Sequence, residues 1–512
     1  MAAPGVSGAT FLDLTLSSPT IGVTGTVAFP AILTGSNTGT GIYAGNSPTN
    51  LSLVALQFAA APGTSDGTFY SGSTSPPINA LNEIAATGYL NISGDVTSSN
   101  SEGVWVGHPS VDTLVWRQGS PAPLPGGLFY GPISNTFSGY TPVLNVQGQI
   151  GFQTGLQNSS GAVVSGTVDW VTQGPQVFAV AQTGGPAVGL PPGATLTALG
   201  TPGLNDSGTV VYSGSFQSPL GPISSGTGIW AANPAFTAPI ALTGQIAPGV
   251  GPAAATFQTL GFRQTVYGTS AHLNATGQTI FFGTVSGAGI IPGTNDHGVW
   301  IGGNGLTALI ARQGDAAPGL APGTTFASFT DSGLGNGLSS AVLATVNGPG
   351  ITAANNTGIW AGVPGNLHLV LRNGDSVPDG TSGPLPVAGL THFTMNAPGE
   401  FITQLSNSAI VGENQLGQLV VVARPGDSIQ VAPGDFRTIT TIVSVLGGEV
   451  GSGATALNDW GQVTFTAKFA DGSSGTFVSN ALAVPEPATC VLTVLGVLAL
   501  VPRCWLRRRR GA

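Results

Sequence analysis

Leu144-Asn145-Val146-Gln147-Gly148-Gln149-Ile150-Gly151-Phe152 is the stretch on which the fold turns. It reads as an Asn-x-x-Gly turn feeding a strand with alternating apolar residues. Asn and Gly both tolerate positive φ, and the alternation has the two-residue period of a half-buried strand. The pattern returns at Leu204-Asn205-Asp206-Ser207-Gly208-Thr209-Val210, at Leu273-Asn274-Ala275-Thr276-Gly277, at Asn396-Ala397-Pro398-Gly399 and at Leu457-Asn458-Asp459-Trp460-Gly461-Gln462-Val463. Weaker copies start near Gly22, Asn79 and Asn336. The eight starts are 57, 66, 60, 69, 62, 60 and 62 residues apart. A near-constant period of this size marks a repeat architecture.

Each unit keeps one internal order. A short Gly-[Ile/Val]-Trp strand follows the first: Gly103-Val104-Trp105, Gly228-Ile229-Trp230, Gly298-Val299-Trp300 and Gly358-Ile359-Trp360. Val168-Asp169-Trp170 is a variant, and Tyr43 replaces Trp in the first unit. A third strand ends in Arg-x-Gly-Asp, at Arg312–Asp315, Arg372–Asp375 and Arg424–Asp427, with Arg117-Gln118-Gly119-Ser120 a near copy. Ala-Pro-Gly and a fourth strand close the unit, as at Ala247-Pro248-Gly249 and Thr256–Leu260.

Four short strands per unit, joined by Gly, Asn and Pro turns, predict an all-β propeller of about eight blades. A β-solenoid competes, but its repeats are much shorter. The chain starts Ala2-Ala3-Pro4-Gly5 and a strand, and it ends with two strands at Val463–Phe469 and Gly475–Ser479. This predicts one blade shared between the termini, which would hide the open edges. The shared blade would lack its third strand, and residues 1–20 do not resemble a signal peptide. Both gaps point to a true start upstream.

The body, residues 3–480, is nearly charge-free. Only 6% of the chain is charged, against about 25% in ordinary domains. Gly (80) and Pro (38) are abundant, yet 41% apolar residues in alternating order exclude a disordered chain. Of the 12 basic residues, five lie after residue 502, leaving 7 against 20 acids in the body, a net −13. That excludes a nucleic-acid surface. Both cysteines, Cys490 and Cys504, lie in the last segment, so no disulfide staples the body.

The end of the chain reads as a sorting tail. Residues 481–487 form a linker with Val484-Pro485-Glu486-Pro487, Ala488–Val501 is uncharged, and Arg503 and Arg507-Arg508-Arg509-Arg510 follow. Fourteen helical residues rise about 21 Å, short of the roughly 30 Å hydrocarbon core. A helix over 488–506 reaches the usual minimum if Arg503 snorkels, and the basic tail 507–512 stays cytoplasmic. The order Pro-Glu-Pro, apolar helix and terminal arginines resembles the PEP-CTERM sorting signal. That resemblance implies export, membrane anchoring through the C-terminal helix, processing by an exosortase-type enzyme, and a place at the cell surface or in extracellular matrix. The tandem Asn-x-x-Gly units with a C-terminal anchor resemble bacterial choice-of-anchor tandem-repeat surface proteins, for which no activity is implied.

The candidate sites in the body read as structural. Asn145, Asn205, Asn274, Asn396 and Asn458 hold turns. Arg312, Arg372 and Arg424 pair locally with Asp315, Asp375 and Asp427 rather than forming a cationic ring around a ligand. Trp105, Trp230, Trp300 and Trp360 pack between blades rather than stacking on sugars. Gly63-Thr64-Ser65-Asp66-Gly67 matches the nucleophile motif but lacks its strand-to-helix setting. The histidines His108, His272, His297, His368 and His392 show no metal spacing, and Glu400 and Glu413 are isolated, so no cofactor or metal is expected. The leading expectation is a non-enzymatic, exported surface or matrix protein with a scaffolding or weak-binding role, with surface polysaccharide as a candidate partner. The alternatives are a carbohydrate-active or other hydrolytic propeller and a ligand-binding propeller.

Overall fold

The computed structural model describes residues 1–483 apart from 15–17, 37–38, 66–68, 73–75, 109–110, 134–141, 252–254, 266–267, 380–382 and 444–454. The described chain is all strand and turn, in eight antiparallel sheets with four strands side by side and two small two-stranded ones, Arg263–Thr265 with Gly268–Ser270 and Ser376–Val377 with Leu385–Pro386. This is an eight-bladed β-propeller. Blade four shows the plan. Thr195–Leu199 and Gly203–Leu204 make the inner strand, and Val210–Gln217, Ser225–Asn233 and Phe236–Leu242 follow outward. The inner strand bulges, between Leu196 and Ala198 here, between Phe257 and Thr259 in blade five, and between Phe326 and Ser328 in blade six. Bulges of this kind bend a strand and increase its twist.

Neighbouring strands alternate in direction, so the connections fall on two faces. Asn-x-x-Gly turns and third-to-fourth-strand hairpins share one face. The Arg-x-Gly-Asp loops and second-to-third-strand turns share the other.

The blade is offset from the sequence unit by one strand. The strand after Ala-Pro-Gly does not finish its own unit. It is the innermost strand of the next blade, as Thr256–Gly261 pairs with Thr279–Ser286. The expectation of a blade shared by the termini is therefore corrected. Ala9–Asp13 is the inner strand of blade one, which residues 9–56 complete without help from the C-terminus. Blade eight comprises Ser428–Ala432, Asp435–Val443, Val463–Phe469 and Ser474–Ser479, with its extra strand added at the inner side. Among the described residues, no strand pairs outside Ser474–Ser479, so blade eight reaches four strands through its extra inner one and not through an outer strand ending in Arg-x-Gly-Asp.

Apolar clusters fill the gaps between blades. Ala28, Ile42, Ile78 and Ile84 join blades one and two, and Val299, Ile301, Val342 and Trp360 join five and six. Ile402, Ile410, Phe465 and Leu457 join seven and eight. Among the described residues no such cluster spans blades eight and one. That seam is held by Ile21 N–H on Thr455 O (2.8 Å) and by Asn458 Nδ2 on Gly22 O (3.0 Å).

The tail expectations, namely Val484, Pro485, Glu486, Pro487, the helix 488–506 and Arg503 and Arg507–Arg510, lie outside the described residues. Among the described residues no helix is long and apolar enough to cross a membrane.

Candidate functional site: the axial channel

Each repeat Asn does two jobs. Asn145 Oδ1 accepts the backbone N–H groups of Gln147 (3.0 Å) and Gln149 (2.9 Å), which folds the turn on itself. Its Nδ2 donates to Gln149 Oε1 (2.7 Å) and, across the gap, to Asn205 O of the next blade (3.0 Å). The relay continues around the axis. Asn79 donates to Asn145 O (3.0 Å), Asn205 to Asn274 O (3.1 Å), Asn274 to Gly335 O (3.1 Å), and Asn396 to Asn458 O (2.9 Å). In blade six the Asn336 N–H donates to Ala397 O (2.7 Å) instead. In blade one, which has Gly22 in place of Asn, Thr20 Oγ1 reaches Pro76 O (2.6 Å). All eight blades are linked.

The ring encloses a cavity of about 290 Å³ on the axis, lined by turns from every blade. Its side-chain charge comes from Asp206 and Asp459, on blades four apart and hence opposite one another. Asp206 accepts Val146 N–H (3.1 Å) and Asp459 accepts Ala397 N–H (3.0 Å). Burial raises the pKa of Asp459, the Ala397 amide opposes the rise, and the Asp206 charge adds to it. Backbone groups and two acids suit the cavity to water or a small polar solute. Among the described residues no group of three or more side chains is placed to hold a metal.

The tryptophans staple loops. Trp230, Trp300 and Trp360 donate their indole N–H to Val188 O (2.9 Å), Pro248 O (3.1 Å) and Pro318 O (2.9 Å), and Trp105 reaches Pro62 O (2.9 Å). Each therefore fixes the loop that delivers its own blade's inner strand. The preceding Gly is a matter of space: a Cβ on Gly298 would sit 2.6 Å from the Trp300 ring. Val168 fills that place before Trp170, whose indole N–H turns to Thr154 Oγ1 instead (2.9 Å).

The arginines pair locally. Arg312 meets Asp315 at 2.8 Å, Arg372 meets Asp375 at 3.5 Å, and Arg424 meets Asp427 at 3.6 Å and Asp379 at 3.2 Å. The pairing of Phe401 with Glu413 brings Glu400 and Glu413 to one corner of blade seven. Each has its own partner there: Asn396 Nδ2 donates to Glu400 (2.6 Å), and His368 lies 3.9 Å from Glu413.

Two groups escaped the sequence reading. The first is Asp331 with His392. Asp331 sits on the inner strand of blade six, at its second bulge, and His392 lies just before the short inner strand Thr394–Met395 of blade seven. Asp331 is buried, and its carboxylate accepts Ser332 N–H (2.9 Å), Phe393 N–H (3.2 Å) and the His392 Nδ1 proton. With Asp331 as the acceptor, His392 donates through Nδ1, which fixes the orientation of the ring. The imidazole is 21% exposed, and Asp331 and the strand that follows His392 are innermost in their sheets. The pair lies about 13–16 Å from the Asn ring along the strands. Nothing in the scattered His and Asp positions announced it, because the two are 61 residues apart on different blades.

The second is Asp169, fully buried where other blades carry Val104, Ile229, Val299 and Ile359. Gln153 Nε2 donates to its Oδ1 (2.7 Å), and its Oδ2 has no partner. Burial pushes its pKa well up, with the Gln153 bond opposing. A raised acid pKa stabilises the fold fully below the unfolded value of about 3.9, and the benefit falls as pH climbs toward the folded value. Asp169→Asn should therefore flatten the fall in melting temperature between about pH 4 and neutrality. Thermal melts across that range check this, and an unchanged slope would contradict it.

Against known proteins, the model of the "Family of unknown function (DUF7453)" matches residues 1–337 and again 320–491. No curated protein sequence matches the chain. Similar solved structures include the β-propeller domain of the Trilobed protease from Pyrococcus furiosus, described as having an open velcro topology (9% identity, 83% of this chain and 96% of that one, TM-score 0.37). They also include a polysaccharide lyase of family PL25, an ulvan lyase (11% identity, 80% and 95%, TM-score 0.32), and the α-L-arabinofuranosidase Arb93A from Fusarium graminearum (9% identity, 84% and 96%, TM-score 0.27). The expectation of a non-enzymatic protein is corrected here. These similar propellers carry the names of a protease, a lyase and a glycosidase, so the architecture gives that expectation no support. Their likeness concerns the fold alone.

Proposed function

We propose that this chain, which belongs to the DUF7453 family, is an exported β-propeller acting on a polysaccharide, with His392 as the base. The reading is carried by the Asp331–His392 pair. The amide-bonded Asp331 orients the ring, and an imidazole held in this way suits proton transfer with a hydroxyl, a water or an acidic C–H. The body's net charge of −13 disfavours polyanions, so the substrate class is a neutral glycan. Tyr89 and Phe436, both exposed on the face of the Arg-x-Gly-Asp loops, offer rings for sugar stacking. Export, anchoring by 488–506 and exosortase-type processing near Pro485-Glu486-Pro487 complete the proposal. They rest on the tail sequence.

The test is turnover of neutral polysaccharides by the full-length protein and by His392→Asn. Asn keeps a donor for Asp331 but removes the base. Turnover should fall by about 10²–10⁴-fold while the fold survives. No turnover by the wild-type protein, or equal turnover by the variant, sinks this reading. A pair that merely ties two strands predicts the second result.

A further inference from the structure

We propose that, before processing near Pro485-Glu486-Pro487 separates them, the face carrying the Asn-x-x-Gly turns lies against a lipid bilayer, the one into which 488–506 inserts. The inference rests on the proposed membrane entry of that segment. Three observations carry it.

The first is where the chain leaves. Ser474–Ser479 is the third strand of blade eight and runs toward the Asn-turn face. Leu482 and Ala483 then pack beside Gly461, in the Asn458 turn itself. Residues 484–487 alone separate Ala483 from the apolar run at Ala488. Fully extended, they span at most about 18 Å. A membrane-inserted 488–506 therefore holds this face close to the headgroups.

The second is charge. No Asn-x-x-Gly turn and no third-to-fourth-strand hairpin on this face contains Lys or Arg. Its acids in the turns are bonded internally: Glu83 and Glu400 to Asn79 and Asn396, Asp206 and Asp459 to backbone amides. The arginine ion pairs lie on the opposite face, among them Arg312–Asp315, Arg424–Asp379 and Arg437–Asp471 (2.8, 3.2 and 2.8 Å), while on the Asn-turn face His368 lies 3.9 Å from Glu413.

The third is apolar reach. Leu81, Phe236, Leu306, Val363, Leu416 and Trp460 stand exposed around this face, on six different blades. Exposed apolar residues also occur opposite, such as Val163 and Ile246, on the face that carries the arginine ion pairs. Apolar side chains around turns without Lys or Arg, with a Trp among them, suit the headgroup boundary. With no basic residue, the contact does not select anionic lipid. It depends on tethering, which raises the local concentration of the face at the bilayer.

The test uses the full chain in phosphatidylcholine vesicles. Cys490→Ser and Cys504→Ser remove the native thiols, and Leu416→Cys or Val163→Cys carries an environment-sensitive fluorophore. The 416 probe should be blue-shifted and several-fold less quenched by iodide than the 163 probe. Equal quenching in protein that survives an alkaline carbonate wash overturns the docking but leaves the anchor standing. Loss of the protein in the wash overturns both. Energy transfer between 416 probes on separate chains would mark a copy-to-copy contact and also overturn the docking.

Discussion

Asn458→Ala should loosen the seam between blade eight and blade one, costing about 3 kcal/mol, while Asn414→Ala costs well under 1 kcal/mol. The two residues make the same local turn. Asn414 Oδ1 accepts Leu416 and Gln418 N–H (both 3.0 Å), and Asn458 Oδ1 accepts Trp460 and Gln462 N–H (3.0 and 2.9 Å). Asn414, however, lies in an exposed hairpin, whereas Asn458 is buried and donates across the seam to Gly22 O. Removing it strips the Trp460 and Gln462 amides of their acceptor and leaves Gly22 O with only the Gly25 N–H of its own turn, at the joint that no apolar cluster among the described residues reinforces. The loss is a large share of a typical stability of about 5–15 kcal/mol. Amide exchange localises the effect. The Ile21 N–H, bonded to Thr455 O across the seam, should exchange faster in Asn458→Ala and unchanged in Asn414→Ala. Equal shifts for both variants would mean that the axial relay contributes nothing.

Trp300→Ala should cost about 3–5 kcal/mol and Trp300→Phe about 1–2 kcal/mol. The indole is fully buried, stacked on Phe281 (6.4 Å, 15°) and edge-on to Phe257 (5.0 Å). Ala empties this space. Phe restores most of the ring but cannot donate to Pro248 O, so the loop from Gly244 to Val250 loses its tie. Urea unfolding gives the two costs. Limited proteolysis separates them in kind: Trp300→Phe should be cut in that loop while its unfolding midpoint moves little. Protection of the loop in Trp300→Phe would show that packing, and not the indole hydrogen bond, holds it.

The repeat and its strand content were legible because turn chemistry and two-residue alternation are local signals. Blade phase was not. Whether the strand after Ala-Pro-Gly pairs backward or forward depends on a contact between Pro248 and Trp300, 52 residues apart. That is why the termini read as halves of one blade although blade one closes on itself. The Asn-x-x-Gly motif also overcounts. Asn158 and Asn414 make the same turn away from the axis, and only the cross-blade bond distinguishes the ring. Asp169 sat in view within Val168-Asp169-Trp170, where a charge in an otherwise Ile/Val position was the available signal. The Asp331–His392 pair gave none, since neighbouring blades bring it together from two unremarkable positions. The tail remains a sequence argument throughout.

The proposals agree on orientation. A bilayer against the Asn-turn face leaves the opposite face, with Tyr89 and Phe436, turned outward, so that a glycan reaches the channel from the side away from the membrane.

The central claim is a ring whose first and last blades touch at the Asn turns. Spin labels at Thr24, Thr276 and Trp460, on exposed turns of blades one, five and eight, test it through pairwise distances in the protein lacking Cys490 and Cys504. The ring predicts a short 24–460 distance and a long 24–276 distance, since blades one and five are opposite. A 24–460 distance longer than 24–276 would describe an open stack of blades and contradict the account.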